Sequence, residues 1–502
     1  MNYQKAIRID PVTKAGTGSG IYPGRTGVDH SSGKSSLKTA ELTYDKPFFE
    51  VFILCIILTF SPSKAIGMMI PVIAMIWYLI RSGSGEVFKR FILVVCAWAI
   101  LVLGYNLHAS LINIDFVTSN ALLSFFHYSS FLLFFIFPQN VSSEKYNYEH
   151  FSKLILNILL FEGLFGIMQK ILAPFLVGNI SGDVVEGTIN PLSFVSGHSG
   201  FSNQFYAINM GFFMIFSLPY IYKNKGKRIH FCIALIGVIL ASVGHVFFSM
   251  VLAVIISYCV FKSRSFLKIF GVVVVVAGVV FAVVDAATFD KPRRQAQMFF
   301  DGETPKSQAI GVAIGQVGSK YPTMHLVGLG PGQYSSRAGV IASGTYGPLS
   351  DLFRSIPVLD FRSAPLFRTY VQEVWEAVER NGDRYGNSTM YRPFFSLLSL
   401  YTEFGGIIFL LILAFLIYQI AALKRYYRML GKDPKNLTAR QLTIVTSVCL
   451  LFLFFIGMYE NYFETPQGVF LGLLLIILSK SIIKEQMLTI NTDAPLAKKW
   501  KG

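Results

Sequence analysis

The sequence predicts an all-α polytopic membrane protein of about twelve transmembrane helices, with one large external loop domain between spans 9 and 10. Three observations predict it. Mean hydropathy is +0.53, and only 14% of residues are charged, against about 25% in a soluble domain. The apolar residues are gathered into runs of span length, because a helix needs about 20 of them to cross the hydrocarbon core. Lysine and arginine are concentrated in alternate connections, as in chains that keep basic loops in the cytoplasm.

The candidate spans are 48–62, 64–81, 91–107, 120–138, 152–173, 204–222, 229–243, 245–261, 267–287, 396–420, 441–459 and 467–484. The pairs 48–62 with 64–81 and 229–243 with 245–261 are the weakest spans: each reads also as a re-entrant hairpin, or as two spans whose split point lies several residues away. With the N-terminus inside, the cytoplasmic segments 1–47, 81–90, 139–153, 223–228, 262–268, 424–440 and 480–502 hold 30 of the 44 Lys and Arg. The short external loops hold only Lys64, Lys170 lies within a span, and the insert 288–395 holds twelve. Long translocated loops are exempt from the charge rule, so both termini are placed in the cytoplasm.

The expected organisation is a disordered basic cytoplasmic N-terminus (1–47), helices 1–9 (48–287), an external, periplasmic loop domain (288–395), helices 10–12 (396–486) and a cytoplasmic tail (487–502). Residues 1–47 are rich in Gly, Ser, Thr and Lys, a composition that cannot bury a core. They lack the apolar region of a cleavable signal peptide, so the first span serves as an uncleaved anchor. The net charge of +16 follows from the positive-inside bias and favours anionic inner-leaflet lipid; it needs no nucleic-acid partner. Cys55, Cys96, Cys232, Cys259 and Cys449 all fall within spans, so no external disulfide framework is expected. No CxxC or HExxH spacing is present, and neither a metal nor a cofactor is expected.

Several polar residues stand out in and near the spans. Glu162 lies mid-span, with Gln169 and Lys170 two turns later, at a cost of roughly 2.5–3.5 kcal/mol for a centred charge. It reads either as a structural hydrogen bond between helices or as a cavity residue. His127 and His245 read more readily as packed, hydrogen-bonded residues than as catalysts. GHSGFSNQFYA (197–207) leads into the sixth span, with Ser202 or Asn203 as N-cap.

The insert is too long for a connector, since ordinary connections run to about 2–8 residues. It contains VGLGPGQY (327–334), in which Gly328, Gly330 and Gly332 around Pro331 read as a tight, exposed turn that admits a ligand close to the backbone. Residues 365–381 read as an amphipathic helix with Phe367, Tyr370, Val371, Val374 and Val378 on one side and Glu373, Glu376 and Arg380 nearer the other. That helix either rests on lipid or on the bundle, or forms a lid. Seven arginines, Arg337, Arg354, Arg362, Arg368, Arg380, Arg384 and Arg392, occupy the second half. The guanidinium fork grips phosphate oxygens bidentately, so this density beside a bilayer suits an external diphosphate ligand.

Four elements, in this order and placement, resemble the O-antigen polymerase and O-antigen ligase superfamily of bacterial polysaccharide assembly. One is the set of spans with a large external loop before the last few. GLGPGQY is similar to the family's G-x-GPG-x-aromatic stretch. SLLSLYTEFGGIIFLL (396–411) is similar to its L-x-x-x-E-x-G-x-x-G pattern through Glu403 and Gly405. SGFSNQFYA is similar to its G-x-F-x-N segment before the sixth span. The resemblance covers roughly residues 150–485. The chain departs from the family where a His-Asn pair is common before the Glu-x-Gly; Phe394 and Phe395 stand there. It reads SVGH, with His245, where many members carry Ser-Arg at the head of the eighth span. The insert's one histidine, His325, precedes the GPG turn, whereas the ligases are thought to use a loop histidine as base. These departures favour a polymerase over a ligase.

The resemblance implies a metal-independent glycosyltransferase of the bacterial cytoplasmic (inner) membrane. It would transfer glycan from an undecaprenyl-diphosphate carrier to a lipid-linked repeat unit on the external face. The implied partners are undecaprenyl-diphosphate-linked oligosaccharide, membrane lipid and a chain-length regulator. Arg337, Arg354, Arg362, Arg368 and Arg392, with Gly330, Pro331, Gly332 and Glu403, are the expected diphosphate and glycan contacts. Glu373 or Glu376, or alternatively His325, is the expected proton acceptor. The alternatives are ligase-type transfer and a lipid-linked sugar flippase or transporter. A transporter should keep its loops short and carry several intramembrane charges, where this chain has mainly Glu162 and Lys170. A polyprenyl-monophosphate-dependent transferase would need a large first external loop, where this chain has SPSKA.

Overall fold

Long apolar runs free of interior breaks fold as helices, because in lipid only intrahelical hydrogen bonds can satisfy the backbone. The computed structural model describes residues 47–62, 64–137, 148–178, 182–196, 202–262, 271, 297–344, 361–380, 392–431 and 433–498. The expectations for 1–46, for nearly all of the ninth span and for 288–296, 345–360 and 381–391 lie outside these. Among the described residues every regular element is helical and no strand occurs. The apolar helices are α1 (Pro47–Thr59), α2 (Lys64–Ser82), α3 (Gly85–Leu111), α4 (Thr118–Ile136), α5 (Tyr148–Val177), α6 (Ser202–Lys223), α7 (Arg228–Leu240), α8 (Gly244–Phe261), α9 (Ser396–Met429), α10 (Leu437–Ile456) and α11 (Pro466–Lys498). Eight of them, all but α1, α2 and α7, are long and apolar enough to cross a membrane. The 13 residues of α7 extend about 20 Å at 1.5 Å each, short of a core of about 30 Å. The chain is a multi-pass α-helical membrane protein.

The connections of the described helices fall at two ends of the bundle. One end is basic. There Arg81 pairs with Glu50 at 2.8 Å, and Lys153 and Lys223 lie 3.7 and 3.6 Å from Glu149. The other end gathers the connections 112–117, 241–243 and 457–465 with the insert. Val117, Asn461 and Glu464 all bond to insert residues there.

Helix α6 is the centre of the bundle, buried on nearly every side from Ser202 to Ile221. Phe212 packs edge-on against Phe452 of α10, ring centroids 4.9 Å apart. The α5 and α7 backbones come close enough at Gly163 that a methyl group there would meet the Ala234 backbone, the small-residue packing typical of membrane helices. On the rim, α3 presents Leu93, Ile100 and Leu103, and α9 presents Leu410, Leu411 and Ile417. A belt of this kind is stable against lipid tails and not against water.

Glu162 resolves to its structural reading. Its carboxylate accepts from the Thr188 hydroxyl at 2.6 Å and the Thr188 amide at 3.0 Å. Two turns further along the same α5 face, Gln169 accepts from the Glu186 and Gly187 amides at 2.9 and 2.8 Å. The two side chains hold the connection 186–190 against the bundle.

The described insert builds its own small core, in which Val317, Met324, Phe367, Val371 and Phe394 join Val117 at the α3–α4 connection. Trp375 stacks on Phe394 at 5.2 Å. Phe367, Val371 and Val374 are buried as the amphipathic pattern requires, and the covering surface is protein.

Candidate functional site

The GPG turn and the Glu-x-Gly stretch, separate in sequence, form one unit. Gly405 breaks α9 with φ +81° and ψ +167°, a backbone conformation nearly closed to other residues. The break redirects the helix backbone. The Ile407 amide donates to the Leu326 carbonyl at 3.2 Å, leaving the Glu403 carbonyl to accept from Gly330 at 2.8 Å, while Thr402 accepts from Leu329 at 2.9 Å. Gly328, at φ +89°, lies so close that a methyl group on it would strike Glu403 and Gly405, and one on Gly405 would strike Leu326 and Val327. The Tyr105 hydroxyl of α3 donates to the Val327 carbonyl at 2.8 Å.

The Glu403 side chain completes the docking. Its carboxylate is fully buried and accepts three alternate insert amides: Gly332 at 2.6 Å, Tyr334 at 3.0 Å and Ser336 at 3.0 Å. Gln333 is held in both directions by Val117, at 3.0 Å each. The turn is therefore a buried joint. Gly328 and Gly332 admit helix backbone, at Glu403–Gly405 and at Asn120, and Gly330, Pro331 and Gly332 are buried where the sequence suggested an exposed turn. Glu403, expected on substrate, has its oxygens committed to insert amides.

The ionisable groups of the insert end converge on the connection 457–465. Arg337 donates its amide to Glu464 and its guanidinium to the Thr465 hydroxyl at 3.3 Å. Glu464 also accepts from the Tyr128 hydroxyl at 3.0 Å, and its carbonyl meets His127 Nδ1 at 2.9 Å. Burial pushes the Glu464 carboxyl up to about 8, with the Glu403 carboxylate adding to the rise and the Arg337 amide and Tyr128 opposing it. Arg392 lies 3.8 Å from Glu460, both side chains largely buried. Lys306, itself buried, donates to the Arg392 carbonyl at 2.9 Å and the Phe394 carbonyl at 3.2 Å. Burial lowers its ammonium to about 7; Glu460 opposes that shift and Arg392 adds to it. The Tyr462 hydroxyl joins His245, at the start of α8, to Gln204, at the start of α6, at 2.7 Å each. Three cationic side chains and two helix N-termini thus meet at one end of the bundle, an arrangement suited to an anion.

Of the expected contacts, the structure brings together Arg337 and Arg392. Arg362 is exposed and pairs with Asp115 at 3.2 Å, and Arg368 is exposed on the helical segment Phe367–Val371. Arg354 lies outside the described residues. Glu373 and Glu376 are exposed, and Glu376 accepts from Gln372 at 2.9 Å; no described contact joins either to Arg337 or Arg392. His325 Nδ1 is 2.6 Å from the Tyr401 hydroxyl, and its ring fills the space over Gly318. The sequence reading passed over Lys306, Glu460, Asn461, Tyr462 and Glu464. Three acidic or amide-bearing residues between two spans, Glu460, Asn461 and Glu464, were the available signal.

Searches against protein-family models, curated proteins and solved structures return no match to this chain.

Proposed function

We propose that this protein is a bacterial polysaccharide polymerase of the O-antigen polymerase type. It transfers glycan from an undecaprenyl-diphosphate carrier to a lipid-linked repeat unit at the external face of the cytoplasmic membrane. On this reading the chain has about twelve spans and cytoplasmic termini, and the insert end faces the periplasm. The convergence of Arg337, Arg392 and Lys306 beside the N-termini of α6 and α8 carries the proposal. A lipid diphosphate is already an activated leaving group. What it needs is fixed positive charge where negative charge accumulates as the glycosidic bond breaks, and removing such a contact costs about 10²–10³ in rate. The placement of GLGPGQY against Glu403-x-Gly405 also gives both resemblance motifs one purpose: they dock the insert over this end of the bundle.

Proteoliposomes supplied with undecaprenyl-diphosphate-linked repeat units from the host, and no nucleotide sugar, test it. Wild type is expected to yield a polymer ladder. Arg337→Ala and Arg392→Ala are expected to fall by about 100-fold, and Arg362→Ala to keep wild-type output. No ladder from wild type overturns the proposal.

A further inference from the structure

The reaction proposed above needs a proton acceptor for the attacking hydroxyl, and Glu373, Glu376 and His325 all lie off the cationic cluster. We propose that His245 is that base, with Tyr462 and Gln204 as positioning residues; the assignment rests on the proposed transfer reaction.

Hydrogen-bond bookkeeping fixes the tautomer. His245 Nε2 lies 2.7 Å from the Tyr462 hydroxyl, and that hydroxyl donates to Gln204 Oε1 at 2.7 Å. A hydroxyl has one proton, and an amide oxygen only accepts. With its proton committed to Gln204, the tyrosine oxygen must accept from His245, so the neutral imidazole carries its hydrogen on Nε2. The Nδ1 lone pair is left as the basic position. Nδ1 makes no hydrogen bond among the described residues. The ring is half-buried and held from two sides, 5.1 Å from Tyr459 and 5.8 Å from Tyr462, nearly parallel to the latter at 14°. A rigid ring with a set tautomer and one open nitrogen is the arrangement of a general base.

The connection that holds the ring through Tyr459 and Tyr462 also carries Glu460, which lies 3.8 Å from Arg392. The step balances without a further reactant. The acceptor hydroxyl gives its proton to Nδ1 as its oxygen bonds to the anomeric carbon. The anomeric C–O bond to the diphosphate breaks, and its electron pair leaves with the lipid diphosphate beside Arg337 and Arg392. The imidazolium then returns its proton to solvent. The same SVGH stretch that departs from the family's Ser-Arg pair would thus supply the base.

The test is turnover of His245→Ala, Tyr462→Phe and Arg337→Ala in the proteoliposome assay, with and without added imidazole. His245→Ala is expected to lose about 100-fold in kcat, within the usual range for a general base, with donor KM unchanged, and imidazole is expected to restore at least about tenfold. Tyr462→Phe, which loosens the ring but keeps it, is expected to lose about tenfold in kcat, also with KM unchanged. His245→Ala within about threefold of wild type, or a loss that imidazole leaves untouched, overturns the assignment; an inactive Arg337→Ala beside either result leaves the transfer reaction standing. Wild-type proteoliposomes that extend nothing overturn the reaction and the base together.

Discussion

Glu403→Ala is expected to release the insert from the bundle. The wild-type carboxylate accepts three buried amides, from Gly332, Tyr334 and Ser336. Alanine leaves all three without a partner, at roughly 1–3 kcal/mol each, so the loss is about 3–9 kcal/mol. That is comparable to the whole stability of a typical domain, about 5–15 kcal/mol. The insert yields first, because its docking is what these bonds hold. Glu403→Gln keeps one oxygen for Tyr334 and Ser336 but turns an NH₂ toward the Gly332 amide, for a loss of about 1–3 kcal/mol. The assay is limited trypsin cleavage of the detergent-solubilised protein at Lys306, buried in the docked insert, and Arg337, read by mass spectrometry. Alanine should expose both sites, glutamine should do so partly, and the transmembrane fragments should stay intact. Wild-type cleavage rates in Glu403→Ala would refute the joint.

Three further expectations follow from the same contacts. Gly405→Ala should mimic Glu403→Ala in cleavage, because the methyl group meets Leu326 and Val327 and a φ of +81° costs a non-glycine residue about 1–3 kcal/mol. Thermal midpoints against pH should pass through a minimum near pH 7–8. Glu464 is raised from 4.5 to about 8, so between those values the folded state keeps a proton the unfolded state has released, and stability falls as pH rises. Lys306 is lowered from 10.5 to about 7, so between those values the unfolded state holds the extra proton, and stability rises with pH. Glu464→Gln should flatten the falling limb and Lys306→Met the rising one. Reporter fusions at 225 and 430 should be active only in the cytoplasm, and one at 340 only outside it.

The helices were legible because a membrane span is written in composition. The expected 120–138 and 204–222 are found as Thr118–Ile136 and Ser202–Lys223. Both motifs of the joint were also visible, but their partnership was not. Glycine signals a positive φ or a close approach without saying to what, and the amides that bind Glu403 belong to the backbone, which no residue type advertises. The arginine cluster was half legible. Density along the chain suggested a clamp, yet folding sends Arg362 to Asp115 at the surface and brings Arg337 and Arg392 to the connection 457–465. That connection escaped notice because it reads as a short turn and its partners are remote: Tyr128 and Glu464 are 336 residues apart.

The most direct test of the central claim is to find where a lipid diphosphate sits. A polyprenyl diphosphate with a photoreactive group next to the phosphates, crosslinked in proteoliposomes and mapped by mass spectrometry, gives that answer. Labelled peptides containing Arg337, Arg392 and 457–465 are expected, with labelling lost in the Arg337→Ala, Arg392→Ala double variant. Labelling confined to the basic end, at 424–440, or to the exposed surface around Arg362 and Arg368, would contradict it.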